Sequence, residues 1–218
     1  MTIRVSRKPA NAYQHGNLRE ALVNAGLRLL NEGGVANLSL RAAAELAGVS
    51  HAAPYRHFKD KDALLAAIAE QGFRLLTEAM EAEVAQAEAT TVRERFAATG
   101  RGYVRFATHH PGYLGVIFGG VLRPESKTPE LEAAGKAAYL VLRNIVSDGI
   151  AEGTIRDGDP DLVSLAAWSM VHGLSHLIIN HAVESPKSAA ALASMVDSII
   201  AMLGDGLNTE PSKAKRQP

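Results

Sequence analysis

An all-α fold is predicted from three features of the sequence. Nearly half the residues are apolar and Ala is very frequent, while aromatics are few. That is the usage of helix-rich chains. No long run alternates apolar, β-branched and polar residues as a half-buried strand does. Helix start signals recur instead: Ser39, then Thr91 with Glu94, then Thr128-Pro129-Glu130, then Asp159-Pro160-Asp161. Together they predict about nine helices, three or so in an N-terminal head and the rest in a larger body.

Residues 1–15 read as a flexible basic arm. Arg4, Arg7 and Lys8 suit contact with phosphates or a minor groove, or a role as a solubilising tail alone. Asn17 followed by Glu20 resembles a capping box. Leu18, Leu22, Ala25 and Leu29 then recur at helical spacing, giving an amphipathic first helix that Gly33-Gly34 ends. Val35 and Leu38 fold back toward a three-helix core.

Residues 38–58, LSLRAAAELAGVSHAAPYRHF, read as two short helices joined by a tight turn. Ser39 is the N-cap of the first, and Leu40, Ala43, Ala44 and Ala47 share one face. Gly48 supplies the sharp exit, Val49 plugs the angle, and Ser50 caps a second helix running to about residue 58. Pro54 falls in its first turn, where a missing N–H costs least. Ala52 and Ala53 are small enough for close approach to base edges, His51, Tyr55 and Arg56 supply polar reach, and Phe58 anchors. This is the helix-turn-helix pattern, whose second helix enters the DNA major groove. An ordinary antiparallel helix pair shares the helix–Gly–helix outline.

The flanking residues narrow the choice. GNLREALVNAGLRLLNEGG, the motif, and PYRHFKDKDALLAAI together resemble the DNA-binding domain of the TetR family of transcriptional regulators. YRHFKDKDALL closely resembles that family's aromatic–x–His–Phe–x–x–Lys–x–x–Leu signature. The resemblance implies a DNA-binding domain over residues 16–76 with the motif at 39–58. It puts His51, Ala52, Ala53, Tyr55 and Arg56 toward the groove, joined by Arg41, with Ser50 opening the reading helix. It assigns Ser39, Tyr55, His57 and Lys61 to phosphates. It further implies a homodimer on a pseudo-palindromic operator and a repressor released by a small molecule, or a DNA-binding regulator without an effector. Pro54 departs from the commoner Leu, which leaves the contact register open.

Beyond the motif, Asp60 and Asp62 suit the start of a long helix from 61 to about 87. Its first amides offer a phosphate site that Lys61 strengthens, unless Lys59 and Lys61 are simply solvated charges. Shared by head and body, this helix is a natural lever between a ligand and groove spacing. The Thr91–Glu94 capping box opens a helix to about 109, which His110-Pro111-Gly112 ends. A short apolar helix over 113–118, a loop through 123–127, a helix from 129 to near 153 and another from 160 to about 181 follow. The last starts at Ser185-Pro186 and ends near 204–206. The body thus spans 77–208, and residues 209–218 read as a disordered tail. Trp168-Ser169-Met170-Val171-His172-Gly173 resembles the Trp–x3–His–Gly motif of the WHG subfamily of TetR C-terminal domains. The family resemblance also implies dimerisation through the last two helices, which otherwise cover only their own core.

Several function classes fall away. Without Cys there are no disulfides or thiolate metal sites. No stretch of 18 uninterrupted apolar residues is present, and residues 1–16 are too polar for a secretory signal, so no membrane partner and a cytoplasmic location are expected. No Gly-x-Ser-x-Gly elbow or strand-borne phosphate loop occurs, so neither an enzyme nor a cofactor is expected. Formal net charge is zero, but the first 75 residues hold ten Lys or Arg against six Asp or Glu. A basic head on an acidic body orients toward phosphate. His172 and His176, at i and i+4, have two-His ligand spacing with His181, His109 and His110 as further candidates. The alternatives are a metal-responsive regulator and a buried or interface histidine pair. Phe106, Tyr113, Phe118, Tyr139, Trp168 and His172 are candidates to line an apolar cavity for a hydrophobic or aromatic effector, or to be plain core.

Overall fold

A computed structural model of the chain describes residues 18–184 and 186–208, the side chains of 205–208 excepted. The basic arm, the cap at Asn17 and the tail after 208 lie outside the described residues. Eight α-helices and no strand are present among the described residues. The chain divides into two compact units inside its longest helix, between Ile68 and Ala69; the sequence had suggested a boundary after residue 76.

In the head, α1 (Leu18–Asn37) breaks at Gly33-Gly34, whose backbone leaves helical geometry. Helix α2 (Leu40–Leu46) starts on Ser39, whose Oγ accepts from Ala42 N at 3.0 Å. Helix α3 (Lys61–Gln86) contributes residues 61–68 to this unit, with Asp60 Oδ1 accepting from Ala63 N at 2.8 Å. Leu22, Leu38, Leu64 and Ile68 are at most 2% exposed. Each such side chain contributes about 1.5–3 kcal/mol on leaving water.

The second motif helix differs from expectation. Between 50 and 58 the only helical piece is a single 3-10 turn, Pro54–Arg56. Pro54 has no N–H to bond the Ser50 carbonyl, so Ala53 N takes that carbonyl at 3.0 Å in a tighter turn. His57 N and Phe58 N both then return to Pro54 O at 2.9 Å. The count of about nine helices becomes eight for this reason, together with two isolated 3-10 turns, the other being Pro124–Ser126.

The body uses the rest of α3 with α4 (Val92–His109), α5 (Pro111–Phe118), α6 (Pro129–Ala151), α7 (Pro160–Ile179) and α8 (Ala189–Asn208). Local chemistry sets the starts. Thr91 and Glu94 form the reciprocal capping box, Thr128 Oγ1 accepts from Leu131 N, and Asp159 accepts from Asp161 N. Pro111, Pro129 and Pro160 occupy first-turn positions, where no N–H is needed. Helix α8 begins later than expected because Ser188 takes the capping role, accepting from Ala191 N at 3.1 Å.

Helix α4 is the axis of the body and packs against α5, α6, α7 and α8. At its crossing with α3, a Cβ on Gly102 would stand 2.6 Å from both Ala79 O and Met80 Cα. The two backbones therefore touch, and only Gly permits it. Helix α7 is long and apolar enough to cross a membrane by length and composition alone. It packs instead in the bundle, burying Ala167, Val171, Leu174 and Ile178.

Candidate functional site

The head presents its polar residues around a buried support. Gly48, at φ +71°, turns the chain after α2 in the left-handed region, where an L side chain is disfavoured. Pro54 and Phe58 then point inward and are buried. Around them His51, Ala52, Tyr55, Arg56 and His57 are exposed, with Tyr55 at 61%. Ser39, Arg41 and Ser50 are exposed as well, while Ala53 and Lys61 are half-buried. Arg19 stacks over the Phe58 ring at 5.7 Å, adding a cation–π contact beneath this surface. Lys61 Nζ donates to the Val35 carbonyl and so closes the segment after the Gly33-Gly34 break. The sequence proposed Lys61 for phosphate; its internal partner lies 26 positions away and carries no local signal.

In the body, three of the six cavity candidates come together. Phe118 lies 5.4 Å from Trp168 and 4.9 Å from His172, ring to ring. Phe106 and Tyr113 pack on either side of His110, at 5.5 and 6.1 Å. Tyr139 stands apart: its hydroxyl donates to Asp161 Oδ1 at 2.7 Å, and Arg143 Nε reaches the same oxygen at 3.2 Å. The Tyr139 bond, then Arg143, lowers the Asp161 carboxyl, and the same bond raises the Tyr139 phenol.

The group that ties the cluster was not foreseen. Trp168 Nε1 donates to Tyr103 Oη at 3.3 Å, and Tyr103 Oη lies 2.7 Å from His172 Nδ1. Burial pushes the Tyr103 phenol up to about 12, so it keeps its proton. The neutral phenol can accept from Trp168 while donating its own O–H to Nδ1, an arrangement that goes with the His172 proton on Nε2. Burial first, then the neighbouring His176, holds His172 below the usual His range. The His172 and His176 rings are 4.5 Å apart. Among the described residues no group of three or more His, Asp or Glu is placed to share a metal.

The described residues of the body enclose a cleft and a smaller void. A cleft of about 770 Å³ lies where α4 begins and α8 ends, walled by Val92, Phe96, Ile155, Val163 and Ile200. A void of about 30 Å³, near one water in size, is lined by Tyr103 and Trp168 and shares Phe96 and Ile200 with it. None of the six cavity candidates lines the larger cleft. Arg101, on its wall, bonds Asp197 of α8 at 2.6 Å and Glu83 of α3 at 3.5 Å, and Arg105 also reaches Glu83 at 2.7 Å. The available signal was a lone Arg between Gly100 and Gly102, in a helix whose surrounding face is buried.

A capped helix, a tight left-handed turn and a short exposed segment after it give the outline of the helix-turn-helix class of DNA-binding regulators. Residues 22–68 match the bacterial regulatory proteins of the tetR family, and residues 96–203 match the tetracyclin repressor-like C-terminal domain. The chain belongs to the TetR family of bacterial transcriptional regulators, which bind DNA and are not enzymes. The class C tetracycline repressor protein of Escherichia coli is 50% identical over 52 residues, 24% of either chain, so the match spans about a quarter of that relative. A solved protein of unknown function from Rhodococcus sp. RHA1 is 35% identical, with a TM-score of 0.76 over 92% of this chain and 100% of that one. The transcriptional regulator FadR from Bacillus subtilis, solved with stearoyl-CoA, is 20% identical, with a TM-score of 0.68 over 87% of this chain and 99% of that one. TetR regulators bind operator DNA and usually form dimers.

Proposed function

We propose that the chain is a homodimeric, cytoplasmic repressor that leaves its operator when a small molecule enters the body. The observation that carries the reading is the exposed rim of His51, Ala52, Tyr55, Arg56 and His57 around buried Pro54. In this reading His51, Ala52, Ala53, Tyr55 and Arg56, with Arg41, meet base edges, and Ser50 opens the segment that carries them. Ser39, Tyr55, His57 and Lys61 meet phosphates. Arg56 has the planar fork that guanine accepts, and Ala52 or Ala53 suits a thymine methyl.

Dimerisation is supported by an unpartnered apolar stripe. Leu162, Leu165 and Leu177 on α7 are 65%, 49% and 47% exposed, and Met202 on α8 is 71% exposed. Ser169 and Gly173 fall between those leucines, where small residues admit a close helix. Such a stripe favours a self-complementary contact between two copies. The Trp168–His172–Gly173 spacing supports the WHG assignment, and the continuity of α3 from residue 61 to 86 supports its role as lever.

Selection from random duplex DNA tests the reading. The expected product is a pseudo-palindrome with half-sites about one helical turn apart, bound by a dimer with strong salt dependence. A monomer in solution at micromolar concentration, or no enriched sequence, refutes it.

A further inference from the structure

We propose that the 770 Å³ cleft between the start of α4 and the end of α8 binds an apolar monocarboxylate. This deepens the effector reading above and rests on it for the consequence of binding. The volume falls within the roughly 300–1,000 Å³ of small-molecule sites. It stays open because Ala87, Ala97, Ala201 and Gly204 on its lining are small, and the larger walls are aliphatic or aromatic.

Charge selects the head group. Four ionic residues line the cleft: Arg93, Glu94, Arg101 and Asp197. Glu94 is occupied by the α4 cap, its carboxylate accepting from Thr90 N and Thr91 N at 3.1 and 3.0 Å. Arg101 and Asp197 satisfy each other at 2.6 Å. Arg93 is exposed at the rim and has no ion partner among the described residues. Arg93 is therefore the one of the four whose side chain is not already engaged, and a carboxylate complements its guanidinium. The same wall explains how binding would be felt. Arg101 joins α8 through Asp197 to α3 through Glu83, so a molecule that spreads α4 from α8 pulls on the helix that continues toward the head motif in sequence.

Isothermal titration of the full-length protein with decanoate, and with decan-1-ol as the uncharged control, tests the site. The expected result is saturable binding of one decanoate per chain, with the alcohol weaker by about fivefold, the contribution of one partly exposed ion pair. Arg93→Gln should erase that difference. Ala97→Trp should fill the cleft and abolish binding of both while the helical circular dichroism is unchanged. No saturable decanoate binding, equal affinity for acid and alcohol, or wild-type binding by Ala97→Trp overturns the proposal. Release of selected operator DNA is then measured. Binding without release leaves the site standing and removes the effector reading. Release from wild type and Ala97→Trp alike removes the site and leaves the effector reading.

Discussion

Tyr103→Phe removes one hydroxyl from the middle of the body and strands two partners. Tyr103 is 4% exposed, so solvent does not readily replace what is lost. The bond from Trp168 Nε1 is long at 3.3 Å, and the contact to His172 Nδ1 is short at 2.7 Å. An unsatisfied buried group costs about 1–3 kcal/mol. The long bond belongs at the low end, and half-buried Trp168 and His172 retain some access to water. The total is about 2 kcal/mol, which for a unit of this size lowers Tm by about 4–8 °C. Differential scanning calorimetry measures this, and fluorescence localises it, because Trp168 is the sole tryptophan. Its emission should shift in the variant. Tyr139→Phe is the control: its hydroxyl sits on an exposed carboxylate that retains Arg143, so the loss should stay below about 1 kcal/mol with no change in emission. Equal effects of the two substitutions, or an unchanged Tm for Tyr103→Phe, would refute the reasoning that a hydrogen-bonded three-member chain centred on buried Tyr103 holds α4 to α7.

Four further outcomes are expected. Arg56→Ala should relax preference at one base position at a cost of about 1–3 kcal/mol, and selection yielding the wild-type motif would remove it from base reading. Lys61→Ala should lower the slope of log affinity against log salt by about one for every duplex, and should also loosen the head by about 1 kcal/mol through loss of the Val35 carbonyl bond, read by denaturant titration. Gly102→Ala should destabilise the body by about 1–3 kcal/mol, because the new Cβ meets backbone atoms of Ala79 and Met80 at 2.6 Å and neither can rotate away; an unchanged urea midpoint would contradict that crossing. Burial, aided by His176 and His109 respectively, holds His172 and His110 below the usual His value of 6.5, so both rings stay neutral to lower pH in the fold than in the unfolded chain. Stability is therefore full above 6.5 and falls as pH drops toward the native values. Tm measured from neutral pH downward should show the fall, and His172→Gln should make it shallower.

What was legible in the sequence was local. Ser39, Thr91, Thr128 and Asp159 each cap a helix through atoms two or three residues away, so their roles follow from spacing alone. The second motif helix was misjudged because Pro54 near a helix start is harmless in isolation. Its burial under the rim and the switch to 3-10 bonding depend on the head core. Helical spacing placed Trp168, His172 and His176 on one face but could not reveal that Tyr103, on α4, joins two of them. The large cleft is the hardest case. It arises from small residues just after α3, on α4 and on α8, each unremarkable where it stands.

The turn around Pro54 has a consequence for how such a protein changes its target. The side chains at its rim sit on a ready-made knuckle whose foundation is the proline ring and Phe58 below them. Exchanging His51, Ala52, Tyr55 or Arg56 leaves the masonry undisturbed, since none of the four is part of the buried support. On the proposed assignment of these positions to the groove, a small library over them is a direct way to retarget the chain.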